Sequence, residues 1–165
     1  MGSGKSTAGK KLAAALKRDF VDLDDVITEL EGQTITQIFD RKGEPYFREA
    51  EKKALRQVSA RQDMVVACGG GTPCSDENMS ELKRTGVVIY LKMSHAALAS
   101  RLMHAKDSRP LLAGAEKEAL PEKVTMLLGA RAKWYEQADI TADGINVDIK
   151  TITEVLADRY GIRRL

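Results

Sequence analysis

The chain has little of what several protein classes depend on. Its two cysteines, Cys68 and Cys74, are too few for a disulfide scaffold, and neither histidine is placed to complete a zinc site with them. A reducing, cytoplasmic setting is therefore expected. No run is long and apolar enough to span a membrane, and no secretory signal is visible, so no membrane partner is expected. An excess of one charge is also missing: 26 Lys+Arg against 24 Asp+Glu leaves a formal +2. That balance argues against a nucleic-acid surface and leaves room for a local anion pocket. Two nucleotide-site signatures are lacking as well. There is no G-x-G-x-x-G with an acidic ribose-binding residue after the next strand, and no guanine-reading N-K-x-D.

What is present begins at once. Met1-Gly2-Ser3-Gly4-Lys5-Ser6-Thr7 reads as the end of a Walker A loop, G-x-x-x-x-G-K-[ST], opening a helix. Such a loop wraps phosphates with successive backbone N–H groups and the positive end of a helix. Lys5 suits the β/γ-phosphates and Ser6 suits Mg²⁺, which fits a triphosphate better than a dinucleotide. The first glycine of the pattern falls two residues before Met1, and the buried strand that feeds such a loop is not in the printed sequence. The expectation is a sequence that begins inside its phosphate loop, with Met1 an internal methionine. Taken alone, the same residues also suit a flexible Gly/Ser-rich start.

The 165 residues suit one domain of βα units without internal repeats. Ala8, Leu12, Ala15 and Leu16 lie on one face of a helix over 5–18. Phe20, Val21 and Leu23 suit a short strand ending in acidic residues. Asp22 and Asp24, two apart at that strand end, stand where an α/β nucleotide enzyme places metal and substrate groups; helix capping by Asp24 or Asp25 is the competing role. Helices follow over 26–31, 34–41 and 44–61, together an insertion (25–61) large enough to wall a pocket. In the third of these, Phe47, Ala50, Ala54, Leu55 and Val58 share a buried side, and Arg48 lies within a turn of Glu44 and Glu51. On its own, Arg48 reads as a surface salt-bridge residue.

The apolar run 63–68 predicts a buried parallel strand, ending in Gly69-Gly70-Gly71-Thr72. Three glycines there imply a close approach to the backbone or a sharp turn. Helix is expected around Met79 and Leu82, strand over 87–91, and helix over 96–103. Residues 104–122, including Arg109, read as a long mixed-charge connection of lid type. A helix over 124–135 carries Arg131, with Trp134 and Tyr135 read first as packing residues. A strand over 138–141 and a helix over 151–160 close the chain. Cys68 reads as a small buried hydrophobe and Cys74 as lying near the pocket without required chemistry.

A phosphate loop, a carboxylate pair and a lid arginine together point to phosphoryl transfer. With these marks the chain closely resembles the shikimate kinase family from Met1 to about Tyr160. The resemblance rests on Asp22-Leu23-Asp24, Phe47-Arg48-Glu49-Ala50-Glu51, Gly69-Gly70-Gly71-Thr72, Arg109-Pro110-Leu111-Leu112 and Arg131-Ala132-Lys133-Trp134-Tyr135, in that order. It implies a P-loop kinase-like three-layer α/β fold around a parallel sheet, five-stranded in the family, whose central first strand is missing from the printed residues. The strands near Met64 and Val87 are then expected to face a gap.

The resemblance also implies the reaction, ATP-dependent phosphorylation of the 3-hydroxyl of shikimate in chorismate and aromatic amino acid biosynthesis. Gly2, Ser3, Gly4, Lys5, Ser6 and Thr7 would bind ATP, and Ser6 with Asp22 would serve Mg²⁺. Asp24 would orient the attacking hydroxyl and receive its proton. Arg48, Arg131 and the backbone at Gly70 and Gly71 would hold the shikimate carboxylate, with Glu51 fixing the direction of Arg48. Arg109 would meet the γ-phosphate, Arg101 is a weaker candidate to face adenine, and a monomer is expected. The alternatives are a kinase for another small hydroxylated metabolite, such as gluconate, and a non-catalytic protein that binds nucleotide or shikimate.

Overall fold

A computed structural model describes residues 2–104 and 119–165. Its elements run α1 (Lys5–Leu16), β1 (Asp19–Asp22), α2 (Leu23–Glu31), α3 (Ile35–Ser59), β2 (Met64–Ala67), α4 (Asp76–Thr85), β3 (Ile89–Lys92), α5 (His95–Met103), α6 (Leu120–Tyr135), β4 (Ile140–Asp143) and α7 (Ile149–Tyr160). The alternation of short β-branched strands with helices gives parallel pairing, because each return to the same end of the sheet needs a crossover. β1 pairs with β2, Asp19 opposite Met64 through Asp22 opposite Ala67, and β3 pairs with β4, Ile89 opposite Ile140 through Lys92 opposite Asp143.

The described strands form two separate two-stranded sheets rather than one ladder. Val65 and Val66 of β2 and Ile89 to Leu91 of β3 line a largely apolar cleft of about 750 Å³ between the pairs. The gap expected between the strands near Met64 and Val87 is therefore present. Across it the pairs are joined by side chains: Leu12 and Leu16 of α1 and Ile152 and Leu156 of α7 form one cluster with Val65, Ile89 and Ile140.

Helix boundaries follow local chemistry. Asp22 caps α2, its side chain accepting from the Asp24 N–H at 3.2 Å. That cap draws Leu23 out of the strand expected for it and into the first turn of α2, where it is fully buried with Ile27 and Ile38. Full burial of such a side chain contributes about 1.5–3 kcal/mol. In α1, Ala13 is buried in place of Ala15, which faces solvent. Thr34 opens α3 with a capping box, its hydroxyl accepting from Gln37 N–H at 3.2 Å while Thr34 N–H donates to Gln37 Oε1 at 2.9 Å.

The helices expected over 34–41 and 44–61 join into α3 through a kink at Gly43, whose φ of 78° and ψ of 173° no side-chain-bearing residue adopts without strain. Pro45 then sits in the first turn of the second segment, where its missing N–H leaves no helical bond unmade. Phe39 before the kink packs on Phe47 after it, ring centroids 4.6 Å apart. Phe47, Ala50, Ala54, Leu55 and Val58 are all buried, as the periodicity predicts. α6 starts at Leu120, so the last residues of the 104–122 stretch are helical, with Pro121 in the first turn.

Candidate active site

Three loops meet at the C-terminal ends of β1 and β2, where the dipoles and free backbone groups of a parallel sheet are open to ligand. Gly2, Ser3 and Gly4 make the turn into α1, with Lys5, Ser6 and Thr7 in its first helical turn. Gly2 is packed against Leu98 and Leu102 of α5, so the loop is backed by a rigid helix. Ser6 Oγ donates to Asp22 Oδ2 at 2.5 Å, which joins the phosphate loop to the end of β1. Asp24 stands in the first turn of α2 rather than at a strand end.

The glycine run after β2 forms a tight turn, with Thr72 N–H donating to Gly69 O at 3.2 Å and Cys74 N–H to Gly71 O at 2.9 Å. A Cβ on Gly69 would lie 2.9 Å from Glu51 Oε1 and 3.6 Å from Asp24 Oδ1. A Cβ on Gly71 would collide with the Arg48 guanidinium, 2.7 Å from Nη2 and 2.8 Å from Cζ. The absent side chains are thus required by close approach: the guanidinium lies against bare backbone. Cys68, at the same strand end, reports the charges gathered there. Burial, then Glu51, Asp22 and Asp24, push its thiol up to about 12 against the opposing pull of Lys5.

Arg48 is held from two sides. Its Nη1 donates to Glu51 Oε2 at 2.8 Å, while Nε and Nη2 donate to Glu44 Oε1 at 3.1 and 2.7 Å. Burial alone would lower its pKa, but Glu51 chiefly, and Glu44, hold the guanidinium more firmly protonated. Glu51 is 1% exposed and is satisfied at its other oxygen by Thr72 Oγ1 at 2.6 Å. Asn78 Nδ2 then donates to the Thr72 carbonyl at 2.8 Å. Arg48 is therefore a built element of the site, not the solvated salt-bridge residue its helical neighbours alone suggest. A cavity of about 400 Å³ opens beside it, lined by Arg48, Glu44, Gly71, Cys74 and Arg131.

Of the residues predicted from sequence, Lys5, Ser6, Asp22, Asp24, Gly70 and Gly71 converge around the two strand ends, and Arg48 and Arg131 share the neighbouring cavity. Arg109 lies outside the described residues. Arg101 Nη1 donates to Gly144 O at 3.3 Å, which brings α5 to the turn after β4. Three residues were not foreseen: Thr72 and Asn78, which lock Glu51, and Tyr135, whose hydroxyl donates to Gly70 O at 2.6 Å. For Thr72, the signal available was a polar residue closing a glycine run; for Tyr135, it was the i,i+4 spacing from Arg131.

Ser6 and Asp22 bring two hard oxygen donors together, a set suited to Mg²⁺, which keeps several waters and takes only one or two protein ligands beside phosphate. Among the described residues no group of three or more His, Cys, Asp or Glu could hold a metal ion. No helix among them is long and apolar enough to cross a membrane.

A phosphate-loop sequence feeding a helix, acidic residues at the next strand end and an arginine-lined cavity on a parallel α/β frame define a P-loop kinase of small metabolites. A family model described as Shikimate kinase matches residues 1–159. The chain is 40% identical over 139 residues to a shikimate kinase of Bacteroides fragilis, covering 84% of this chain and 78% of that relative. It is 43% identical over 145 residues to one of Chloroherpeton thalassium, covering 85% and 77%. Among solved structures it is similar to the shikimate kinase of Bacteroides thetaiotaomicron, with TM-score 0.88 and 34% identity over 94% of this chain and 93% of that one. It is similar also to the shikimate kinase of Acinetobacter baumannii in complex with shikimate, with TM-score 0.86 and 32% identity over 97% and 90%. The chain belongs to the shikimate kinase family.

Proposed function

We propose that this chain transfers the γ-phosphoryl group of ATP to the 3-hydroxyl of shikimate, giving shikimate 3-phosphate and ADP for aromatic amino acid biosynthesis. The observation that carries this reading is the glycine turn, where a Cβ on Gly69 would lie 2.9 Å from Glu51 Oε1 and 3.6 Å from Asp24 Oδ1, and one on Gly71 would collide with the Arg48 guanidinium. One short backbone segment thus spaces the acid-binding arginine from the carboxylate beside the phosphate loop.

In this reading Arg48 and Arg131 hold the substrate carboxylate, since guanidinium forks match a planar anion. Backbone at Gly70 and Gly71 closes the same pocket. Asp24 orients the attacking hydroxyl and takes its proton, as a carboxylate beside the phosphate loop. Lys5 and the N–H groups of Gly2 to Thr7 stabilise charge on the phosphates, and Arg109 meets the γ-phosphate. Ser6 and Asp22 would hold Mg²⁺, which neutralises phosphate charge when bound. Residues 25–61 form the substrate-binding insertion and 104–122 the lid of a single domain. The protein works as a cytoplasmic monomer, without nucleic acid or membrane.

Product analysis decides the substrate. With ATP, phosphorus NMR should show shikimate 3-phosphate appearing, with gluconate a far poorer acceptor. Equal phosphorylation of both would sink the assignment.

A further inference from the structure

Tyr135 is the last residue of α6 and lies one helical turn beyond Arg131, on the same face. Its hydroxyl donates to Gly70 O at 2.6 Å, bridging 65 positions in sequence to reach the middle of the glycine turn. Its ring is stacked on Tyr90 of β3, centroids 5.0 Å apart, so the phenol is aimed by packing as well as by its bond. Burial raises the pKa of this phenol, and the Arg131 guanidinium opposes the rise, which places that charge beside the same hydroxyl. Elsewhere α6 is held by an apolar seam with α5, through Leu98, Ala99, Leu120 and Val124 near its other end. An apolar seam fixes distance between helices but leaves rotation and sliding weakly specified. A directional bond at the far end fixes both.

We propose that Tyr135 is a positioning residue for acid recognition: its hydroxyl pins the end of α6 to the glycine turn and so sets Arg131 opposite Arg48. The inference rests on the reading that these two arginines hold the substrate carboxylate. Neither the packing of Trp134 nor the ring of Tyr135 supplies this function; the hydroxyl does.

The test is a cycle of Tyr135→Phe, Arg131→Ala and the double variant in the full chain. Tyr135→Phe keeps the ring on Tyr90 and so keeps the fold, checked by thermal melting and near-ultraviolet circular dichroism. Losing one hydrogen bond should raise KM for shikimate about fivefold, with kcat within about twofold and KM for ATP unchanged. Calorimetric titration with shikimate alone should weaken by the same factor. In the Arg131→Ala background the second change should add less than about twofold, because the two residues act as one unit. A purely structural role would lower kcat and the melting temperature, raise both KM values together, and be additive; that pattern overturns the inference. If Arg131→Ala leaves KM for shikimate unchanged, the arginine clamp itself fails. If it raises KM while Tyr135→Phe does not, the clamp stands and the inference alone falls.

Discussion

Thr72 Oγ1 donates to Glu51 Oε1 at 2.6 Å, and neither side chain reaches solvent: Thr72 is 0% and Glu51 1% exposed. A carboxylate in that position is tolerable only because Arg48 and Thr72 each satisfy one of its oxygens. Thr72→Val keeps the shape and removes the donor. It should cost about 1–3 kcal/mol in urea denaturation and raise KM for shikimate as Arg48 loses a fixed counter-charge. Thr72→Ser retains the donor and should cost only about 1 kcal/mol, for the lost methyl. Equal losses in both variants would mean that packing, not the hydroxyl, matters here.

Gly71→Ala places a methyl group into the Arg48 guanidinium. The arginine must then leave the glycine turn or the turn must open, and either move reshapes the cavity that Arg48 shares with Arg131. KM for shikimate should rise at least about tenfold, the cost of a strong charge-assisted contact, while KM for ATP holds. Steady-state kinetics with each substrate varied in turn reads both.

Glu44 already occupies the Nε and Nη2 edge of Arg48, the edge a ligand carboxylate would use. Glu44 is 48% exposed, so the pair is screened and easily exchanged. Glu44→Gln should therefore lower KM for shikimate by about twofold to fivefold, the range expected for an exposed ion pair. Glu49→Gln removes a charge from the same cavity without touching the Arg48 bonds to Glu44 and Glu51 and serves as control. A matching fall in both variants would assign the effect to the general field.

The Cys68 thiol, pushed from 9.0 to about 12 by burial and then by the carboxylates around it, is neutral through the whole working range. Alkylation by iodoacetamide should be negligible below about pH 10, since the thiolate is the nucleophile. The unfolded chain ionises this thiol near pH 9 and the folded chain does not, so the unfolded state binds fewer protons above that pH. Stability is then fully present below pH 9 and falls as pH rises toward 12, which urea midpoints across that window would register. Rapid labelling at pH 8 in the native state would contradict the raised pKa.

Part of the candidate site is legible in the sequence because a phosphate-loop pattern and strand-end carboxylates are marked by residues close together in the chain. Ser6 and Asp22 were each identifiable by their place, and the structure shows them bonded. Leu23 reads as strand because it is an apolar residue next to one; the competing Asp22 cap wins by satisfying the Asp24 N–H. Arg48 looked ordinary from its own helix, since its two glutamates give the usual i,i+3 and i,i+4 pairs. What distinguishes it is the bare backbone of Gly71, 23 positions away, which no local pattern reveals. Thr72 and Tyr135 escaped for the same reason: their bonds span 21 and 65 positions.

The kink at Gly43 gives the cavity beside Arg48 its own angular origin. Because the backbone leaves helical geometry there, the azimuth of Arg48 is set by the buried Phe47, Ala50, Ala54 and Leu55 after the kink and not by Thr34, where α3 begins. One residue inserted in the turn at 32–34, ahead of the cap, leaves that phase untouched. One residue inserted between Glu44 and Phe47 leaves it too, but turns Glu44 by about 100° away from the guanidinium it meets. Length variation ahead of Phe47 thus reaches the arginine only through Glu44.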